Sequence, residues 1–142
     1  MAIKVFDPNQ ISVVAGVSPI QGFVEDSMLS IETEDAKYGI SSDIHGNVTR
    51  FRQNKNMAKV TLTLTQSSLS NDVLSSFLEA DRQSNAGVFN FMIKDNSGTT
   101  LFTSVSSYVE KQATVEFGND NKNREWTIIC INPNKFVGGV KE

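Results

Sequence analysis

The residues that could do chemistry are few and scattered. Cys130 is the only cysteine and His45 the only histidine in the 142-residue chain. Cys130 sits in Thr127-Ile128-Ile129-Cys130-Ile131 with no neighbouring base. A reactive thiol needs a cation or base beside it, so Cys130 reads as a small buried hydrophobe. His45 stands beside Gly46 in a polar loop and reads as a solvated side chain. Glu32, Glu34 and Asp35 could pair as acid and base, but an exposed acidic patch accounts for them more simply. Asn119, Asp120, Asn121, Asn123 and Glu125 are rich in oxygen, yet their spacing departs from a calcium loop and their carboxylates are few. The chain has no phosphate loop, no dinucleotide fingerprint and no nucleophile elbow. One cysteine and one histidine exclude an internal disulfide framework, a cysteine zinc cluster and multi-histidine metal chemistry. The expectation is a protein without catalytic, cofactor or metal residues.

Arg50, Arg52, Lys55 and Lys59 could meet phosphates, but only Phe51 interleaves with them, and the net charge is -3. That is thin for a base-stacking platform and the wrong sign for a dedicated nucleic-acid binder. The charge is unevenly placed. Residues 1–43 carry seven acids and two bases, residues 44–71 four bases and no acid, and residues 72–142 nine acids and seven bases. Complementary segments of this kind would let copies of the chain pair head to tail. Hydrophobic residues at 39% and charged residues at 20% suit a globular chain, so the expectation is one domain over 1–142. No apolar run approaches the ~18 residues of a membrane span. The first eight residues lack the apolar core of a signal peptide.

Most of the chain alternates as strands do. In residues 57–65, Val60, Leu62 and Leu64 share one face, and Lys59, Thr61, Thr63 and Thr65 the other. Residues 28–33 place Leu29 and Ile31 opposite Ser30 and Glu32. Residues 108–117 place Val109, Lys111, Ala113, Val115 and Phe117 opposite Glu110, Gln112, Thr114 and Glu116. Lys111 breaks the apolar face, which puts it near a strand end. Residues 88–94 and 99–105 flank Asp95-Asn96-Ser97-Gly98, a hairpin signature. A second turn, 118–123, leads into a mostly apolar strand at 124–131, and residues 3–6 and 11–15 are short strands about Asp7-Pro8-Asn9. The one helix, 71–83, carries Val73, Leu74, Phe77 and Leu78 on one side. Ser70 is its expected N-cap and Gly87 its stop. Its other side carries Ser75, Ser76, Glu79, Arg82 and Gln83. The segment 34–56 is a long inter-strand loop in which Val48–Arg52 would extend a hairpin beyond the body.

So many strands need their edges managed, and no proline guards one. A ring that continues the sheet from subunit to subunit would do so, with the threonine-rich faces lining its hole. At this point residues 60–75 resemble the strand-to-helix core of tail tube proteins of contractile-tailed bacteriophages. Residues 93–101 resemble that family's central hairpin. Val115-Glu116-Phe117-Gly118 and Asn123-Arg124-Glu125-Trp126-Thr127-Ile128 resemble its last hairpin, and Phe136-Val137-Gly138-Gly139 its tail.

The resemblance implies a mainly β fold of two packed antiparallel sheets, in the style of a β-sandwich or barrel, with one flanking helix, shared with the type VI secretion tube protein. It implies hexameric rings stacked into a tube, a passive conduit for DNA within a contractile sheath. Strands 28–33, 58–65, 99–106 and 108–117 would wall the lumen. The lumen residues would be Ser30, Glu32, Lys59, Thr61, Thr63, Thr65, Ser104, Glu110, Gln112, Thr114 and Glu116. Lys59 is the exception in a lumen expected to repel phosphate. Tyr38, His45, Arg50, Phe51, Arg52 and Lys55 would reach the adjacent ring. Ser75, Ser76, Glu79 and Arg82 would face the sheath. Further partners would be the tape measure, baseplate and tail terminator proteins, with assembly in the host cytoplasm into the virion tail. Two alternatives stand beside this: a tube or baseplate part of a related injection or secretion system, and a β-barrel ligand-binding module.

Overall fold

The structure is a computed structural model that describes residues 10–24, 29–33, 38–52, 56–120 and 122–139. The predicted strand at 3–6 lies outside these residues, as do Glu34, Asp35 and Lys55. The elements are β1 (Ile11–Ala15), β2 (Ser18–Pro19), β3 (Leu29–Thr33), β4 (Tyr38–Ser42), β5 (Val48–Arg52), β6 (Met57–Thr65), α1 (Ser70–Ser84), β7 (Phe89–Asp95), β8 (Leu101–Lys111), β9 (Asn123–Ile131) and β10 (Asn134–Phe136). The fold is mainly β, in two antiparallel sheets with one helix. The larger sheet runs β2-β1-β7-β8-β9-β6-β3, with β10 added to β8; the smaller is the β4–β5 hairpin. Among the described residues the larger sheet ends in β2 and β3 and does not close into the barrel of the ligand-binding alternative.

Strict alternation makes β6 the centre of the fold. Ala58, Val60, Leu62 and Leu64 are fully buried, while Lys59 points outward. Across β9 their partners are Cys130, Ile128, Trp126 and Arg124. Directly opposed residues share a face, so the apolar row of β6 meets a row that is apolar up to Arg124. Phe91, Phe102, Val109 and Leu74 complete the same core. Each such side chain contributes roughly 1.5–3 kcal/mol when fully buried.

The helix closes this core from one side. Leu74 is fully buried, Phe77 stacks on Phe89 with ring centroids 4.3 Å apart, and Trp126 donates its indole N–H to Asn71 Oδ1 at 2.9 Å. Its caps differ from the expectation. Leu69, not Ser70, holds the N-cap position, and the Ser70 N–H reaches the Ser68 hydroxyl at 3.2 Å. Ser70 instead lies buried, its hydroxyl accepting the Gln21 N–H. The helix ends at Asn85 in the left-handed conformation, two residues before Gly87. Asparagine can take that conformation, so the nearer residue ends the helix.

The largest departure is β8. The predicted strands 99–105 and 108–117 form one strand that ends at Lys111, the residue whose charge marked a strand end. Phe91 pairs with Ser104 and Phe89 with Ser107, so β8 has one residue more than β7 over this interval. Val105 and Ser106 therefore form a bulge, not the boundary between two strands. Inward positions are Phe102 and Ser104 before it, Ser107 and Val109 after it. Residues 112–117 leave the sheet and form no strand.

Phe102→Ala is expected to cost about 3–5 kcal/mol of stability. Val105→Ala, at a site 75% exposed, is expected to stay within about 0.5 kcal/mol of the parent. Urea unfolding measures both, and equal losses would refute the switch of face at the bulge.

Candidate functional site

Two surfaces stand out: a polar wall on the outward face of the larger sheet, and the β4–β5 ribbon. The wall follows from register. Ser30 of β3 opposes Thr61 of β6, which opposes Thr127 of β9. Glu32 opposes Lys59, Thr63 opposes Glu125, and Thr65 opposes Asn123. Of the predicted lumen residues, the structure thus brings Ser30, Glu32, Lys59, Thr61, Thr63 and Thr65 onto one face. Glu110, from β8, joins them. Its carboxylate stands 4.0 Å from Lys59 Nζ, with both side chains about half exposed. Such a pair adds little stability. It does neutralise the lysine that stood out from an acid-bearing face.

Ser104 is not on this wall. It is buried, and its hydroxyl donates to the Ile131 carbonyl at 3.1 Å. The bulge at Val105–Ser106 reverses the parity of β8, so Ser104 faces inward although Glu110 faces outward. Gln112, Thr114 and Glu116 are exposed but lie beyond the end of β8. Together with Lys111, Asn123, Glu125 and Thr127 they line a shallow recess of about 280 Å³. The sequence reading missed β9 as a wall strand. Asn123, Glu125 and Thr127 alternate with Arg124, Trp126 and Ile128, and that signal was present. A charged residue at an inward position, Arg124, obscured it. Arg124 is buried, and its guanidinium donates to the Glu116 and Lys122 carbonyls, each at 3.4 Å.

The ribbon occupies most of the predicted 34–56 excursion. Every residue of β5 is exposed, as are Tyr38, Ile40 and Ile44. Arg50 lies over the Tyr38 ring, 3.7 Å from its centroid, and Phe51 covers Gly39, where a Cβ would collide with the ring. The tip is built on Asp43. Its carboxylate accepts the N–H groups of His45 (2.9 Å) and Asn47 (2.8 Å) and the Asn47 side-chain amide (2.9 Å). Gly46 turns the chain at φ +84. These bonds, the Asn47 side chain first, hold the Asp43 carboxyl below its ordinary range. Tyr38, His45, Arg50, Phe51 and Arg52 are thus all exposed on one projecting element.

On α1, Ser76, Glu79 and Arg82 are exposed and Ser75 is half-buried. Glu79 is tied to Arg82 (3.8 Å) and accepts from Gln83 (3.0 Å). Cys130 is fully buried, and burial pushes its thiol up while its cross-strand neighbour Ser107 opposes the shift. A thiol so placed is inert.

The structural protein ORF10 of Pseudomonas phage KPP10 is 35% identical over 145 aligned positions, which cover 94% of this chain and 82% of that protein. The chain belongs to the ORF10 family of phage structural proteins. No protein-family model matches it. The ORF10-like fold is shared with chains of contractile injection systems at low identity. One comes from the tube-terminating cap of the anti-feeding prophage: TM-score 0.65, 12% identity, covering 96% of this chain and 94% of that one. Another comes from the sheath/tube terminator of an extracellular contractile injection system in its extended state: TM-score 0.66, 14% identity, 96% and 100%. A third comes from the sheath-tube complex of that system: TM-score 0.65, 12% identity, 93% and 91%.

The Asp43 turn makes a pH prediction. Because the folded pKa is depressed, the support given by this carboxylate is present above its unfolded value and is lost as pH falls through the folded one. The amide resonances of His45 and Asn47 should titrate together with a midpoint below 3.8. A midpoint at or above that value in an NMR titration would refute the hydrogen-bonded turn.

Proposed function

We propose that this phage structural protein is a ring-forming subunit of the inner tail tube of a contractile tail. The observation that carries the proposal is the outward face of β3, β6, β9 and the end of β8. It bears threonines, a serine, an asparagine and a lysine paired with glutamate, backed by a fully packed core. A wall of short hydroxyls and carboxylates offers a passing polyanion little to hold. Membership in a phage structural family and the fold shared with tube and terminator assemblies support the same reading.

In this reading six subunits close a ring, rings stack, and the ribbon reaches the next ring through Tyr38, His45, Arg50, Phe51 and Arg52. Lys55 would follow them. The exposed side of α1 faces the sheath. Baseplate, tape measure and terminator proteins set where the tube starts and stops. Genomic DNA passes without specific binding, and the protein resides in the virion tail and does no chemistry. Subunits join the tail in the host cytoplasm.

A second reading has a specific observation behind it: two of the structural neighbours described above come from structures of a terminating cap and a sheath/tube terminator. A terminator would form a single ring. Negative-stain imaging and light scattering over a range of concentrations, with and without baseplates, separate the two. Long hollow rods support the tube subunit, single rings the terminator, and a strict monomer under every condition overturns both.

The wall and the ribbon each give a substitution test. Thr61→Phe or Thr63→Phe should leave folding and particle assembly intact and reduce DNA delivery, counted as infectivity per assembled particle. Normal delivery would remove the wall from the lumen. Deleting residues 41–49 should leave monomers or isolated rings. Normal rods from that variant would end the inter-ring role of the ribbon.

A further inference from the structure

The sheet is split at one place. β9 is paired to β6 from Asn123 to Ile131, but to β8 only from Thr127 onward. Asn123–Trp126 therefore present a strand edge without a β8 partner. Beside it runs 112–117, whose sequence alternates as a strand does but which forms no strand. The 280 Å³ recess lies between the two. Arg124 holds the arrangement from below through the Glu116 carbonyl, with its guanidinium carbon 5.5 Å from the Phe117 ring centroid. Val115 and Phe117, which alternate with the lining residues Thr114 and Glu116, are 58% and 80% exposed. An open edge beside exposed apolar side chains is a template for another strand.

The chemistry of the recess narrows the occupant. Residues 112–120 carry Glu116 and Asp120 and no base, and Glu125 adds a third carboxylate. Lys111, exposed and opposite Thr127, is the one base that lines the recess, and Lys122 is half-buried. The ribbon has the complementary character. It projects Arg50 and Arg52 together with Tyr38, Ile40 and Phe51, while the only acid described in it, Asp43, is consumed by its own turn. Among the described residues β4 and β5 pair only with each other, which leaves an outer edge on each. The five residues of β5 suit the length of 112–117.

We propose that the β4–β5 ribbon of a second copy of this chain docks at the cleft between 112–117 and Asn123–Trp126. It adds a strand there, with Arg50 and Arg52 meeting Glu116, Asp120 and Glu125. This rests on the reading that the ribbon joins copies, and it names the receiving surface.

Intermolecular disulfide capture tests it on the full chain, because buried Cys130 is silent in the folded protein. Phe51→Cys chains are mixed with Phe117→Cys chains under mild oxidation, with Glu79→Cys on α1 as the control. Capture with Phe117→Cys should exceed the control about tenfold, and adding Arg50→Glu and Arg52→Glu should remove most of that excess. Glu116→Lys and Asp120→Lys in the partner should then restore it, a rescue that general misfolding would not give. Capture no better than the control, or reversal without rescue, overturns the docking site. If wild-type protein still forms rods in that case, the tube reading survives alone. If it forms neither rods nor rings, both fall.

Discussion

Nine consecutive cross-strand pairs join β6 to β9, from Met57–Ile131 to Thr65–Asn123. Everything else is arranged around this ladder. Its inward row, Ala58, Val60, Leu62 and Leu64 against Cys130, Ile128, Trp126 and Arg124, is the floor of the core. Its outward row carries the threonines, Lys59, Glu125 and Asn123. Because side chains alternate strictly, burying one row presents the other to the outside. A one-residue slip would bury Lys59 and Thr61 and expose Val60 and Leu62. The wall is therefore a consequence of the core, and the two cannot change independently.

The neighbours of the ladder solve local problems within that constraint. The bulge at Val105–Ser106 lets β8 serve β7 and β9 at once. On each side of it an inward-facing stretch, Phe102–Ser104 and then Ser107–Val109, meets the core. The helix lies over the aromatic end of the core, where Phe77 stacks on Phe89, and Asn71 satisfies the Trp126 indole. Burying Arg124 costs desolvation, which backbone carbonyls offset in part. The bond to Glu116 also ties the end of 112–117 to β9.

Among the described residues the ribbon has no such support. A lone two-stranded ribbon is marginal in water, and this one exposes Ile40, Ile44, Val48 and Phe51. The Asp43 turn and the Arg50–Tyr38 contact shape it without covering its apolar surface. An element that is shaped but uncovered is built to be completed by something else. In the proposed reading, copies of the same chain complete it.

The sequence by itself determined where most strands run, because a period of two is a local property that β6, β3 and the 93–101 hairpin carry in their own residues. It also determined the polar face of β6, the exposed side of the helix, the exposed hairpin and the burial of Cys130. The burial of Ser104 was beyond it, and the outward face of β9 was written in its alternation but masked by Arg124. Alternation says which residues share a face only while the count is unbroken, and the bulge that breaks it exists because β8 must match two partners distant in sequence. Residues 112–117 carry a strand pattern with no strand, since pairing depends on whether a neighbour lies within reach. The helix caps shifted for the same reason: Ser70 was taken by Gln21, a contact across 49 positions. Periodicity is written locally, whereas parity, pairing and the uncovered edge of β9 are set by which distant segments meet, and only the tertiary structure decides that.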